Sequence, residues 1–357
     1  MKQIDFHGRR AAQIENGELR LTVTEQGGHL AELVHKPSNV SPLWIPHWPS
    51  IEPSDYSPAR HPEYGEGAES RLLAGIFGHS ICLDLFGGPD EEEAAAGIPV
   101  HGEASVARYQ VAGDEKHLAL RAELPRAEMT FERTLELAAD GVVALSETIH
   151  NHCCTGRPIG WTQHVTLGAP FLEPGQTRFQ VPATQSRVFE GAFNDGLGMQ
   201  LDGADFTWPF CPRKDGGVQD LSTLTGESSS GGFTAHLMDP SADHAFFIAW
   251  SPRWQLAFGY VWRRKDFPWL SRWEENHLRR SPPWNSAEFA LGMEFGVSPM
   301  AESRRSMVER GKMFSTPAFF WAPAKTRSTA QYCAFLRSSA TLPRGVQWDG
   351  ERKVVLF

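Results

Sequence analysis

One stretch of the chain alternates between apolar and polar residues with a period of two, which constrains its conformation more than any other feature. Apolar residues occupy four of the five odd-numbered positions of Met129–Leu137, and threonine or glutamate occupies every even-numbered one. Such a period places one face of an extended segment against a core. Asp140 and Gly141 then supply turn chemistry, and the alternation resumes at Val143. The pattern predicts a β-hairpin.

Nine further runs predict short strands, because glycine, proline and aspartate separate them at close intervals. They are Glu18–Thr24, His29–His35, Ser105–Ala112, His117–Glu123, Gly160–Leu167, Gly232–Leu237, Ala245–Trp250, Gln255–Trp262 and Ala287–Gly296. Strand-like alternation resumes soon after the Pro-rich segment Pro42–Pro62 and after the Gly/Ser-rich segment Gly226–Gly232. We therefore interpret both segments as loops rather than linkers. The patterns predict one all-β sandwich domain over residues 1–357.

Helical signals are few. Ser298 can cap a helix whose body is Met300–Arg310, and Gly311 offers a left-handed end. A shorter helix is predicted at Ala68–Leu73. The predicted fold therefore holds few short helices.

Charge and cysteine content exclude several classes of protein. The chain has 43 acidic and 34 basic residues, a formal net charge of −9, so it lacks the basic surface that nucleic acids or anionic membranes require. No apolar run approaches the roughly 18 residues of a transmembrane helix. The five cysteines are odd in number and form no CxxC pair, which disfavours a disulfide framework or a zinc finger. We expect a protein of the cytoplasm.

Two histidines lie where a strand meets a loop or a polar face. His101 precedes a glycine, which lets the backbone turn tightly and present the imidazole to a cleft. His164 shares a strand face with Thr162 and Thr166, and this polar face suits a cleft better than a core. The alternatives are a loop histidine that contacts only water, for His101, and a surface histidine, for His164.

Glu294 lies within the otherwise apolar strand segment Phe289–Gly296. A buried carboxylate is costly unless it is paired, and burial raises its pKa toward the range that a general base needs. The alternative is a structural ion pair with an arginine. Glu274 and Glu275 follow Trp273 and rival Glu294 as a base, although the pattern favours a solvated loop for them.

Seven of the twelve tryptophans lie between Trp250 and Trp321. Four of them alternate with arginines in one segment: Trp262, Trp269, Trp273 and Trp284. Aromatic faces can stack on sugars while arginines donate to hydroxyl groups, and the alternative is that the tryptophans are core anchors.

His150 and His152 could share a strand face, but no third ligand stands at a useful spacing, so we predict no metal site. No P-loop or dinucleotide-binding motif occurs, and no cofactor is predicted.

Six segments, taken in chain order, resemble the galactose mutarotase-like family, which includes aldose 1-epimerases. They are Asn16–Val23, Gly27–Leu30, His101–Gly102, Asn151–His164, Asp243–Phe246 and Gly292–Glu294. His101 resembles the family's sugar-binding histidine, and Asp243 resembles its substrate-binding aspartate. His164 and Glu294 resemble its catalytic histidine and glutamate. The resemblance covers residues 14–300.

The resemblance implies a large antiparallel β-supersandwich and a cofactor-independent sugar epimerase acting at the anomeric carbon. Glu294 would take the proton of the C1 hydroxyl while His164 protonates the ring oxygen. His79 and Arg71 would join His101 and Asp243 in holding hydroxyl groups, and a stacking platform would come from one of two tryptophans, Trp262 or Trp273. The implied partner is a small-molecule carbohydrate, and nothing in the sequence specifies the oligomeric state.

Three positions depart from the family pattern. Gln163 stands where many members have asparagine, and Phe295 follows Glu294 where the sugar-phosphate branch commonly has proline. Ser105 stands where that branch has arginine, which favours a neutral sugar. The altered neighbours also suit a second hypothesis, a sugar-binding protein without turnover, because a fold alone does not give function. A third hypothesis, a sandwich-fold lyase, lacks an obvious tyrosine motif.

Overall fold

The predicted hairpin is present in the structure, a computed structural model that describes residues 1–191 and 196–357. Strands Met129–Leu137 and Val142–Asn151 pair in antiparallel fashion. Asp140 and Gly141 both adopt positive φ in the turn between them, the conformation that a tight hairpin requires.

The described residues form 26 strands, numbered here in chain order. The first nine are β1 (Lys2–Phe6), β2 (Arg9–Glu15), β3 (Leu19–Thr24), β4 (Leu30–His35), β5 (His79–Asp84), β6 (Gln110–Gly113), β7 (His117–Leu124), β8 (Met129–Leu137) and β9 (Val142–Asn151). The next nine are β10 (Arg157–Gly168), β11 (Arg178–Gln180), β12 (Ala183–Val188), β13 (Asp205–Phe206), β14 (Phe210–Pro212), β15 (Val218–Asp220), β16 (Ser230–Met238), β17 (His244–Ser251) and β18 (Leu256–Arg263). The last eight are β19 (Trp269–Asn276), β20 (Phe289–Gly296), β21 (Lys312–Met313), β22 (Thr316–Pro317), β23 (Phe320–Ala322), β24 (Arg327–Ser338), β25 (Val346–Trp348) and β26 (Val354–Leu356).

The helices are few and short, as predicted. They are α1 (Ser70–Leu73), α2 (Glu91–Ala95) and α3 (Arg304–Arg310), with single 3₁₀ turns at Pro62–Tyr64 and Glu103–Ser105. Within the described ranges, none of these helices has the length and hydropathy needed to cross a membrane.

Two large antiparallel sheets hold most of the strands. Eleven strands of the first sheet follow the order β1-β2-β3-β4-β5-β10-β20-β19-β16-β12-β13, and β23 pairs with β10 as its twelfth strand. The second sheet has eight strands in the order β11-β17-β18-β24-β9-β8-β7-β6. This arrangement confirms the predicted antiparallel all-β sandwich.

The large sheet is covered on both faces. One face packs against the second sheet through the main hydrophobic core. Loops and α1 cover the other face with a second apolar cluster that includes Trp44, Trp284 and Leu72. Strand β10 lies in the middle of this sheet and is buried from Ile159 to Gly168. Its two sets of alternate side chains therefore face two different interiors.

Two predicted boundaries differ most from those of the structure. Predicted strand Ser105–Ala112 begins only at Gln110, because a left-handed turn and the 3₁₀ turn Glu103–Ser105 precede it. The Ser105 hydroxyl donates to the Gly102 carbonyl over 2.9 Å, so it closes this turn.

The last helix starts at Arg304, with Ser303 rather than Ser298 as its cap. Its start is delayed because Met300 is buried in the second apolar cluster instead of entering a helical turn. Gly311 ends the helix at φ 62°, as predicted.

Candidate active site

His164 and Glu294 lie directly opposite each other on neighbouring strands. Strands β10 and β20 pair so that the two residues are in register. Their side chains leave the same face of the sheet, and His164 Nε2 is 3.1 Å from Glu294 Oε1. The other ring nitrogen, Nδ1, is 3.1 Å from the hydroxyl of Thr166. The predicted sharing of one face by His164 and Thr166 is therefore confirmed.

Burial shifts both ionisable groups of this pair toward their neutral forms. It raises the pKa of the Glu294 carboxyl to about 8. Burial, reinforced by the nearby His101, holds the pKa of the His164 imidazole well below its usual 6.5. Between these two values the pair carries a single dissociable proton. A protonated glutamic acid beside a neutral histidine holds the same proton count as a carboxylate beside an imidazolium, so one proton shift between them interconverts the two forms.

His101 approaches the pair from a strained turn. Its φ is 63°, and Gly102 follows at φ 74°. A Cβ at Gly102 would lie 2.1 Å from the Leu83 carbonyl oxygen, so only glycine fits there. The His101 ring centroid is 4.9 Å from that of His164. Its Nδ1 is 2.5 Å from the Phe86 carbonyl oxygen, which can only accept, so Nδ1 carries the proton and Nε2 is left as an acceptor.

The three residues line a cavity of about 200 Å³ on the outer face of the large sheet. Its walls are mostly apolar and aromatic, and its other lining residues are Trp44, Glu69, Leu72, Leu73, Ile76, Gly87, Gly88, Val100, Phe233, Trp273, Arg279, Trp284 and Ala301. The volume lies below the roughly 300–1,000 Å³ of sites for drug-sized ligands. The cavity therefore suits one small ring rather than a chain of sugars.

Gly292 creates room for the carboxylate. It is on β20 two residues before Glu294 and so on the same face. A Cβ at this position would lie 2.4 Å from Glu294 Oε1. The glycine therefore allows the carboxylate to turn along the strand toward His164.

Arg279 is the one arginine among the described residues that lines this cavity. Its guanidinium lies 4.7 Å from the ring centroid of Trp284 and 5.6 Å from that of Trp273. It is also 3.5 Å from carboxylate oxygens of both Glu69 and Glu275. Its positive charge is balanced by these two carboxylates, so the wall presents no excess cation.

Two of the predicted sugar-binding residues lie in the core between the sheets. His79 is on β5 opposite Val165, and its ring nitrogens contact Tyr260 and Gln163. Trp262 stacks on Phe295 with ring centroids 4.2 Å apart. His79 faces the core because odd-numbered residues of β5, β10 and β20 face the second sheet. Trp262 lies on β18, a strand of that second sheet, and its ring meets Phe295 across the core. Neither residue lines the cavity.

Two others lie on surfaces away from the cavity. Asp243 is exposed just before β17, a strand of the second sheet. Arg71 lines a separate cleft, and its Nε donates to the Pro53 carbonyl over 3.1 Å. Of the predicted residues, the structure brings together His101, His164, Trp273 and Glu294 only.

The pair Glu274 and Glu275 is buried in β19, so the expectation of a solvated loop is wrong. Glu274 is 2.8 Å from Arg272. Glu275 accepts backbone N–H groups from Leu278 and Arg279, over 2.7 and 2.9 Å. Both therefore have structural partners.

Four residues that line the cavity were not predicted from the sequence as site residues: Trp44, Glu69, Arg279 and Trp284. Trp284 and Arg279 lie in the Trp-rich segment, whereas Trp44 and Glu69 lie outside it. The Trp-rich pattern was the available signal for Trp284 and Arg279. Trp44 comes from the Pro-rich loop Pro42–Pro62, and no local pattern in that loop indicates which sheet face it covers.

His150 and His152 have ring centroids 4.2 Å apart. In residues 1–191 and 196–357, no group of three or more His, Cys, Asp or Glu side chains is arranged to hold a metal ion.

No protein-family model matches the chain, and no curated protein is significantly similar to it in sequence. Several solved structures are similar in fold. A candidate aldose 1-epimerase from Klebsiella pneumoniae superposes with a TM-score of 0.69 at 14% identity, covering 95% of this chain and 83% of that one. A candidate aldose 1-epimerase from Escherichia coli K12 has a TM-score of 0.61 at 14% identity, over 93% of this chain and 100% of that one. A galactose mutarotase-like protein from Lactobacillus casei has a TM-score of 0.60 at 15% identity, over 92% and 100%. The chain has the galactose mutarotase-like β-sandwich fold.

Proposed function

We propose that this protein is an aldose 1-epimerase that interconverts the anomers of a neutral monosaccharide. The observation that carries the proposal is the His164–Glu294 pair, buried at the wall of a cavity and 3.1 Å apart. Such a pair can donate one proton and accept another in the same step. The fold shared with candidate aldose 1-epimerases supports the same activity.

The reaction needs no group beyond the pair. In the ion-paired form the Glu294 carboxylate removes the proton of the anomeric hydroxyl while His164 Nε2–H protonates the ring oxygen. The bond between C1 and the ring oxygen breaks, and C1 becomes an aldehyde carbon. After rotation about the C1–C2 bond, the ring oxygen attacks the other carbonyl face, and both protons return. Each positioned proton transfer contributes about 10²–10⁴-fold.

The remaining cavity residues orient the sugar in this proposal. The acceptor nitrogen of His101 holds a hydroxyl beside the reacting carbon, and the face of Trp273 packs against ring C–H groups. A neutral sugar is favoured because the Arg279 charge is already balanced by Glu69 and Glu275. Ser105 is uncharged, and its hydroxyl donates to the Gly102 carbonyl.

The test is anomerisation of neutral monosaccharides, followed by polarimetry or exchange NMR. We expect His164→Asn and Glu294→Gln each to lower kcat/KM by about 10²–10⁴-fold with the fold intact, since each removes one proton transfer. His117→Asn and Glu115→Gln are matched controls at exposed positions and should retain full rates. Full activity in both active-site variants would overturn the assignment. A sugar that binds without anomer exchange would instead support the sugar-binding protein without turnover.

A further inference from the structure

A second cleft, about 310 Å³ in volume, lies outside the candidate active site. Its charged lining residues are Arg71, Arg108, Arg121, Arg126, Glu103 and Glu123. Four cations face two carboxylates there, in a chain whose net charge is −9. The cleft is therefore a local positive region on a protein that is otherwise acidic.

The two carboxylates are largely committed to other partners. Glu123 and Glu132 both pair with Arg121, which is thereby neutralised. Glu103 accepts the Ala127 backbone N–H through Oε2 over 2.8 Å. Its other oxygen, Oε1, forms an ion pair with Arg126 over 3.4 Å. Arg121 and Arg126 are therefore each paired with a carboxylate, whereas Arg71 and Arg108 are not.

Arg71 and Arg108 hold the uncompensated charge. The Nε of Arg71 donates to the Pro53 carbonyl, but its two terminal nitrogens have no acceptor among the described residues. The Arg108 guanidinium likewise has no hydrogen-bond or ion-pair partner in that part of the chain. Desolvation lowers the pKa of the Arg71 guanidinium, the positive charge of Arg126 lowers it further, and the Glu103 carboxylate opposes both effects. The Arg71 and Arg126 guanidiniums are therefore close enough to repel each other. An anion between them would remove that repulsion.

We propose that this cleft is a binding site for a phosphoryl group. Planar guanidinium groups present paired N–H donors that match phosphate oxygens, and several of them suit a dianion better than a carboxylate. The occupant is inorganic phosphate or the phosphoryl group of a small metabolite.

Two chain segments lie between the cleft and the active-site cavity, and each contributes residues to both. On α1, Arg71 faces the cleft, whereas Leu72 and Leu73 line the cavity. In the segment before the 3₁₀ turn, Pro99 lines the cleft and His101 lines the cavity. Phosphate in the cleft should therefore leave the reacting pair accessible, so the two ligands bind at once.

Calorimetric titration of the full chain with inorganic phosphate at constant ionic strength tests the proposal. We expect Arg71→Gln and Arg108→Gln each to weaken phosphate binding about tenfold, the cost of losing one charge-assisted contact. Arg121→Gln removes the same charge from the same cleft but from a paired arginine, so it should change the affinity less than about threefold. Glu294→Gln should have no effect on phosphate affinity.

A phosphorylated sugar titrated in parallel distinguishes the two sources. Tighter, Arg71-dependent binding of the sugar phosphate supports a metabolite, and equal affinity supports free phosphate. Three findings would each overturn the proposal: no heat at millimolar phosphate, equal losses in all three arginine variants, or phosphate binding that Glu294→Gln removes. The last result would place the anion in the active-site cavity.

Discussion

Two buried glutamates, one on each side of strand β10, differ in the number of side chains that contact their carboxylates. Glu147 lies between the sheets and accepts hydrogen bonds of 2.6–2.8 Å from four side chains. The donors are Arg133, Trp161, Gln163 and Tyr332. Glu294 lies on the outer face, where His164 is its close ionisable partner and burial alone raises its pKa. A carboxylate whose oxygens are all occupied is structural, whereas one with a single exchangeable partner at a cavity can take up a proton.

The largest expected effect is on stability, from Glu147→Gln. The change leaves the Arg133 guanidinium buried without its counter-charge, and breaking a buried ion pair in this way costs about 3–5 kcal/mol. Urea unfolding of this variant and of Glu115→Gln, a control at an exposed position, would measure it. A loss below about 1 kcal/mol would remove the basis for calling Glu147 structural.

The pH dependence of the rate comes next. Above the Glu294 pKa of about 8 the pair holds no proton, so His164 has none to donate. We expect kcat/KM, corrected for spontaneous mutarotation, to fall about tenfold per pH unit above that value. The lowered pKa of His164 predicts that the rate stays level as the pH decreases from 8 to 6.5. A rate that rises steadily from pH 7 to 10 would contradict the shared-proton pair.

The stability of Glu294→Gln should differ from that of the native protein in its pH dependence, with a change over each single pH unit that is smaller than the loss expected for Glu147→Gln. Because the folded-state pKa of Glu294 is raised above its ordinary 4.5, its contribution to stability is complete below 4.5 and declines as the pH rises through about 8. Glutamine does not titrate, so the free energy of unfolding of the variant should rise relative to that of the native protein by up to about 4 kcal/mol between pH 5 and pH 9. Unfolding curves at both pH values, with Glu115→Gln alongside, provide the comparison. A gap between native and variant that does not change with pH would mean that Glu294 titrates normally.

The fold class was predictable because turn residues and period-two runs are local signals, as in the Met129–Asn151 hairpin. The meeting of His164 and Glu294 was predicted only through the family resemblance, since cross-strand register depends on distant chain segments. His79 and Trp262 show the limit of local patterns. Strands buried on both faces lose their polar–apolar alternation, so the sequence does not indicate which face meets the cavity. The single-domain assignment for residues 1–357 stays a prediction.

Because β10 is buried on both faces, its register with the neighbouring strands determines both the packing of the core and the position of His164 opposite Glu294. A deletion of one residue before Gln163 would slide the strand by one position and reverse every side chain that follows. His164 would then enter the core beside Glu147, and Gln163 would be lost from the four donors that surround that carboxylate. Length changes within β10 should therefore be far less tolerated than length changes in the loops that cover the cavity.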